Sequence, residues 1–376
     1  MKRDLAIDYL RSGVTAAVVA HHAALAYNTF SRYDPDRYTR STAPVVDPLR
    51  FAPLDYFVAW NDIFFMALMF FISGLFVAPA IARKGPGRFL VDRTKRLGIP
   101  FAAAVTLLMP LAYYPSWRLS NEAVQGGFLL RFFTTDGWPA GPPWFLWLLL
   151  AFCAAAALVA KLIPRLWHRL SWPTPSAWKL VLVCLAISLV ATIPLRLFVS
   201  PYAWSSLGGP FAFQTTRLLL YFAWFLLGVS LGGENLARSL SVNNLRPWPF
   251  WLLLGLTCFV AHWFLSGGAY LRGMPPWVGN VILTGVFSAC CTFSSLGSVG
   301  MFRALVGLPH AWADSLSANA YGIYVIHYGF VIWMQFILLS TPFPPVTKFA
   351  VTFPVSLGAS WFCTAMLRRT IARRVL

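Results

Sequence analysis

Four ionisable side chains, Asp8, Arg11, His21 and His22, stand inside the first apolar stretch of the chain, about residues 8–27. A guanidinium keeps its charge at every physiological pH, and its fork matches phosphate and carboxylate oxygens. An imidazole, with an ordinary pKa near 6.5, can take up a proton and return it at neutral pH. Ten residues separate Arg11 from His22. At about 100° per residue, eleven steps return a helix to nearly the same face, roughly 16 Å further along. Asp8 and Thr15 fall near that face. Asp8, three residues before Arg11, is placed to hold the guanidinium, whereas His21 is turned about 100° away and reads as structural. A stretch of about 20 residues spans a bilayer as a helix. Ionisable groups inside such a helix normally face protein or a watery cavity, which makes this segment a functional-site hypothesis.

The elements that must position these groups follow from composition. With 58% hydrophobic and 11% charged residues among 376, and a mean hydropathy of +0.65, the chain reads as a polytopic membrane protein. The net charge of +18 does not indicate a nucleic-acid partner, because the basic residues sit between apolar runs and form no single basic face. Apolar runs near 8–27, 57–82, 97–114, 144–163, 178–199, 215–233, 248–266, 277–298, 318–340 and 345–367 predict an all-α bundle of about ten transmembrane helices. They read as one integral membrane domain over 1–376. Residues 28–56 read as an exposed loop. Lys2 and Arg3, the 83–96 turn, the 161–179 loop and the C-terminal arginines fall on one side, which predicts cytoplasmic termini. Cys153, Cys184, Cys258, Cys290, Cys291 and Cys363 lie in apolar segments without Cys-x-x-Cys spacing, so they read as small buried side chains. The start of the chain resembles a signal peptide, but Asp8, Arg11 and the histidine pair interrupt the apolar core such a peptide needs. The segment reads as a retained helix.

Five motifs in order give a resemblance to a known family. Asp8-x-x-Arg11 with a histidine eleven residues later, Phe70-Phe71-Ile72-Ser73-Gly74, Arg93-Thr94-Lys95-Arg96, Trp144-Phe145-Leu146, and Tyr321-Gly322-Ile323-Tyr324 running on to His327 together resemble acyltransferase family 3, integral membrane acyltransferases of cell-envelope glycans. The resemblance implies a bacterial inner-membrane enzyme. It would move an acyl group, acetyl or succinyl first among the candidates, from cytoplasmic acyl-CoA to a hydroxyl of an extracytoplasmic glycan. His22 would be its general base, with Asp8 supporting Arg11. Arg11, Arg93 and Arg96 would hold the donor phosphates.

The remaining candidates keep two readings each. Ser73 is a nucleophile by type, but its depth favours a packing or donor-channel role beside Gly74. Tyr324 and His327 either line the acyl channel and orient the thioester or make interhelical hydrogen bonds. Asp62, Trp144, Arg196, Arg217 and His262 either ring an acceptor mouth or belong to an interfacial belt. Asn61-Asp62-Ile63 departs from the polar pattern common before the Phe-Phe signature, which leaves acceptor choice open. No metal cluster is apparent; the expected partners are acyl-CoA, a hydroxyl acceptor and the bilayer, with a homo-oligomer left open. The rival classes are a secondary transporter or exporter of a glycan or acylated metabolite, and a membrane scaffold. Transporters commonly relay protons through intramembrane carboxylates, whereas here only Asp8 and Asp62 lie in the predicted spans, both near the ends, and no paired half-repeat is evident.

Overall fold

The computed structural model describes residues 4–170, 176–233, 240–268 and 270–375. Helix α1, Leu5–Leu25, is capped by Asp4, whose carboxylate accepts from the Ile7 amide at 3.2 Å. Helices α2 (Pro53–Gly74) and α3 (Val77–Lys84) follow, and Gly85 at φ 77° turns the chain into α4 (Pro86–Arg93). Two wide π turns, Thr94–Gly98 and Ala104–Leu108, carry α4 through α5 (Ile99–Ala103) into α6 (Met109–Leu119). Next come α7 (Phe128–Thr134), α8 (Trp144–Leu162), α9 (Pro164–Arg169) and α10 (Ala177–Phe198). A small antiparallel hairpin, β1 (Trp204–Ser206) and β2 (Ala212–Gln214), pairs Ser205 with Phe213 and leads into α11 (Leu218–Leu231). Four long helices complete the bundle: α12 (Trp248–Ser266), α13 (Pro276–Leu305), α14 (Ala311–Leu339) and α15 (Pro345–Leu367).

Each of the ten predicted spans lies on helix. Among the described residues eight segments are long and apolar enough to cross a membrane, namely 53–84, 86–119, 144–162, 177–198, 248–266, 276–305, 311–339 and 345–367. The other two predicted spans fall short of that standard for physical reasons. The apolarity of α1 is diluted by Asp8, Arg11, His21 and His22, and the segment Thr215–Leu231 is short. Both are nonetheless packed inside the bundle, α1 against α14 and α11 against α2.

Backbone groups left open by proline decide how α14 docks. Pro100 has no N–H to give the Arg96 carbonyl, and the Tyr321 hydroxyl donates to that carbonyl instead. Pro115 likewise leaves the Leu111 carbonyl without its helical donor, and Trp333 Nε1 supplies one at 3.0 Å. Gln335, 2% exposed, donates to the carbonyls of His22 at 2.9 Å and Ala23 at 3.1 Å, which ties α14 to α1. Hydrocarbon offers no water to such groups, so these contacts fix register as well as affinity.

The 28–52 segment corrects the expectation of an exposed loop. Tyr38, Val45 and Asp47 are buried, and Asp47 accepts from Lys348 Nζ at 2.6 Å in an ion pair that is itself buried. Asn28 Nδ2 and the Thr29 amide donate to Asp55 at 2.7 and 2.9 Å. The segment looks polar in sequence because the partner of Asp47 stands 301 residues away.

The Phe70-Phe71-Ile72-Ser73-Gly74 motif is mainly a packing device. Phe70 meets the rings of Phe145, Phe152 and Tyr221 at 4.6–5.2 Å, and Phe71 meets Trp224 at 5.9 Å. At Gly74 an added Cβ would fall 2.2 Å from the Phe225 carbonyl oxygen, and at Gly228 one would fall 2.1 Å from the Phe71 oxygen. Two glycines therefore let α2 and α11 touch backbone to backbone. Gly74→Ala must push them apart, and overpacking of this kind costs about 1–3 kcal/mol. The expected outcome is a thermal unfolding midpoint in detergent several degrees below wild type, with Ser73→Ala, at a half-buried side chain, close to wild type.

Candidate functional site

The central feature is a pair of imidazoles. His22, in the last turn of α1, and His327, midway along α14, stack with ring centroids 5.3 Å apart and planes inclined by 25°. Tyr328 lies edge-on to His22 at 5.1 Å, and Tyr113 stands 6.1 Å from Tyr328. His21 adds a wall: its ring stacks on Phe65 at 5.3 Å and meets His22 at 5.4 Å. His327 is fully buried, and its Nδ1 lies 2.7 Å from the Tyr324 carbonyl. A carbonyl can only accept, so Nδ1 carries the hydrogen in the neutral ring and Nε2 is the bare, basic nitrogen. That Nε2 is buried without a partner among the described residues, as is Nδ1 of His22. Two charged rings at this separation would repel strongly in a dry site.

Tyr324 is engaged elsewhere: its hydroxyl donates to the Pro142 carbonyl in the turn that opens α8. Of its two sequence readings, the structure gives Tyr324 an interhelical hydrogen bond. The 321–327 motif thus works as a ladder on one face of α14. Tyr321 holds the Arg96 turn, Tyr324 holds the start of α8, and the Tyr324 carbonyl holds His327.

On the face that carries the described chain ends lies a cavity of about 500 Å³ lined by Asp4, Asp8, Phe76, Pro79, Ala80, Arg83, Lys84, Phe89, Asp92, Arg93 and Arg96. Each acid there has a basic partner. Asp4 pairs with Arg303 at 2.7 Å, Asp8 with Arg11 at 3.6 Å, and Asp92 with Lys84. Arg83, Arg93 and Arg96 form no ion pair among the described residues, although Arg93 lies over the Phe89 ring at 5.2 Å. Arg93 and Arg96 were legible from their motif. Arg83 is an addition, masked in sequence as one more positive flank of an apolar run. Arg11 is absent from the lining; besides Asp8 it reaches the Ser317 carbonyl at 3.5 Å. Ser73 is also outside the lining.

At the opposite ends of the helices a third group collects. Arg217 donates to the Asp62 carbonyl through Nη1 and to its carboxylate through Nη2, both at 2.6 Å. The Phe287 ring lies under the Arg196 guanidinium at 3.8 Å, with Arg217 at 5.2 Å and His262 at 6.1 Å. Asp62, Arg196, Arg217 and His262 are therefore brought together as the sequence suggested, around a phenylalanine that nothing in its apolar run distinguishes. Trp144 joins through aromatic contact, stacking on Tyr221 at 5.8 Å and standing edge-on to Trp204 at 5.6 Å.

The bundle and these three polar centres, strung along helices that cross it, define a multi-pass helical membrane protein. The family model described as an acyltransferase domain, that of acyltransferase family 3, matches residues 4–365, and the chain belongs to that family. It is an acyltransferase embedded in a membrane. Comparison with curated proteins and with solved structures finds no match.

The tautomer of His327 is directly measurable. Solid-state ¹⁵N spectra of histidine-labelled protein, assigned against His327→Asn, should show that ring with Nδ1 protonated and Nε2 bare. A protonated Nε2 in the neutral ring would contradict the hydrogen bond to the Tyr324 carbonyl.

Proposed function

We propose that this protein takes an acyl group, acetyl or succinyl, from acyl-CoA on the cytoplasmic side and esterifies a hydroxyl of an extracytoplasmic glycan, in a bacterial inner membrane with both chain ends cytoplasmic. The observation that carries the reading is the buried imidazole pair, with His22 on a helix whose other end reaches a cavity with three guanidinium groups outside any ion pair among the described residues. Arg83, Arg93 and Arg96 would grip the nucleotide phosphates of the donor. Arg11, held by Asp8, would lie beside the arm that carries the thioester inward. The rise from Arg11 to His22 is roughly 16 Å, which an extended pantetheine chain has to cover.

In the transfer step the acceptor oxygen attacks the thioester carbonyl carbon while His22 takes the hydroxyl proton. The tetrahedral intermediate collapses with rupture of the carbon–sulfur bond, and the proton passes from the imidazolium to the departing thiolate. The products are an O-ester and free coenzyme A. His327, stacked on His22, acts as a positioning residue: it holds the ring from one side while its own tautomer is fixed by Tyr324. Exclusion of water by Tyr113, Tyr328 and Phe65 keeps the thioester from hydrolysis.

The test is release of coenzyme A from acetyl- and succinyl-CoA by purified protein with envelope glycan present. His22→Ala should lower turnover by about 10²–10⁴-fold, the usual worth of a general base, while still binding the donor. Removal of Arg93 or Arg96 should weaken donor binding by about 10–100-fold, as expected for a charged hydrogen bond of roughly 1.5–3 kcal/mol. A wild-type protein that neither binds nor consumes acyl-CoA, or a fully active His22→Ala, would refute the proposal and favour a transporter.

A further inference from the structure

The group around Phe287 holds more positive charge than it uses. Arg217 donates two hydrogen bonds to Asp62, one of them within their ion pair, and only its Nε is left buried without a partner among the described residues. Arg196, in the last turn of α10 and 5% exposed, has neither hydrogen bond nor ion pair among the described residues, and its Nε is buried without a partner. One carboxylate thus faces two buried guanidinium groups. Stacking on Phe287 offsets only part of the desolvation penalty of a buried cation. A purely structural arginine here would be expected to snorkel to the interface or bond the free carbonyls at its own helix end. Arg196 instead lies inward over the ring.

We infer that Arg196, backed by Arg217, is an anion site for the acceptor: it receives a carboxylate or phosphate carried by the glycan, so that the substrate is an acidic sugar and not a neutral one. The inference rests on the reading of the protein as a glycan acyltransferase and narrows its acceptor class. The placement suits that role. The site lies at the helix ends opposite the donor cavity, beside the stack of half-buried Trp144 on buried Tyr221. An anion on Arg196 would anchor the acceptor at the outer side and leave a neighbouring hydroxyl to approach the imidazole pair. The paired Asp62 carboxylate keeps Arg217 from binding the anion alone and sets the guanidinium pair apart.

The experiment is ligand binding by calorimetry to the full chain in nanodiscs of phosphatidylcholine, with three probes: a tetrasaccharide of uronic acid, a neutral tetrasaccharide of the same length, and a sugar phosphate. Wild type should bind at least one acidic probe tenfold or more tighter than the neutral one, and the preference should shrink with salt. Arg196→Gln should abolish the preference and Arg196→Lys should keep part of it, while acetyl-CoA binding is the same in all three proteins. Should Arg196→Gln fail to fold, the comparison among probes on wild type and Arg196→Lys still decides. Equal affinity for acidic and neutral probes, no binding of any probe, or an unchanged preference in Arg196→Gln would overturn the inference. So would abolition of the acidic preference by phosphatidylglycerol in the disc, which would assign the cation to a lipid headgroup. Acyl-CoA turnover is read in parallel, so loss of that activity with the acidic preference intact would count against the enzyme reading and not against the anion site.

Discussion

A bilayer interior contains no water to satisfy a backbone carbonyl or a charged side chain, and this protein is arranged around that constraint. Its α4–α6 region carries prolines and π turns that open the helical ladder, and α14 answers the gaps with Tyr321 and Trp333. The same helix grips α1 through Gln335 and presents His327 to His22. The contacts that repair the backbone and the contact that builds the histidine pair therefore lie on one element. A helix that must dock in a single register to satisfy carbonyls also holds its imidazole in a single place, and group transfer in a dry site needs that fixity.

Polar residues that look costly by themselves become intelligible in pairs. Asp47 with Lys348 pins the 28–52 segment to α15. Breaking one such buried pair by removing a partner typically costs about 3–5 kcal/mol, because the remaining charge has no water to return to. Asp62 with Arg217, Asp4 with Arg303 and Asp8 with Arg11 are also paired, the first midway along α2 and the other two at the ends of α13 and α1. Against that background Arg83, Arg93 and Arg96 at the cavity and Arg196 over Phe287 stand out, none of them in an ion pair among the described residues. They occupy the two ends of the bundle, with the imidazoles between.

Much of this could be read from the sequence, and the reasons are local. The spans are long apolar runs bounded by charge, so hydropathy alone placed them to within a few residues, the 86–119 segment, α13 and α14 excepted, where polar flanks hid extra turns. Helical periodicity joined Asp8, Arg11 and His22, and motif spacing singled out Arg93, Arg96 and His327. What escaped depends on contacts across the chain. Nothing near Asp47 announces Lys348, and nothing in the apolar run of α13 marks Phe287 as the ring on which two arginines converge. Tyr324 carried two readings in sequence, and its partner, the Pro142 carbonyl, is visible only once α8 and α14 are packed together.

Passage of the acyl group through the bundle, from the arginine-lined cavity to the imidazole pair and out to the acceptor side, is tested most directly by sidedness. Vesicles reconstituted with one orientation receive labelled acetyl-CoA only on the face bearing the chain ends, and an impermeant acceptor glycan only on the other. Label should appear on the glycan across the membrane, with coenzyme A released on the side of the donor. Transfer that occurs only when donor and acceptor share one compartment would contradict a transmembrane route.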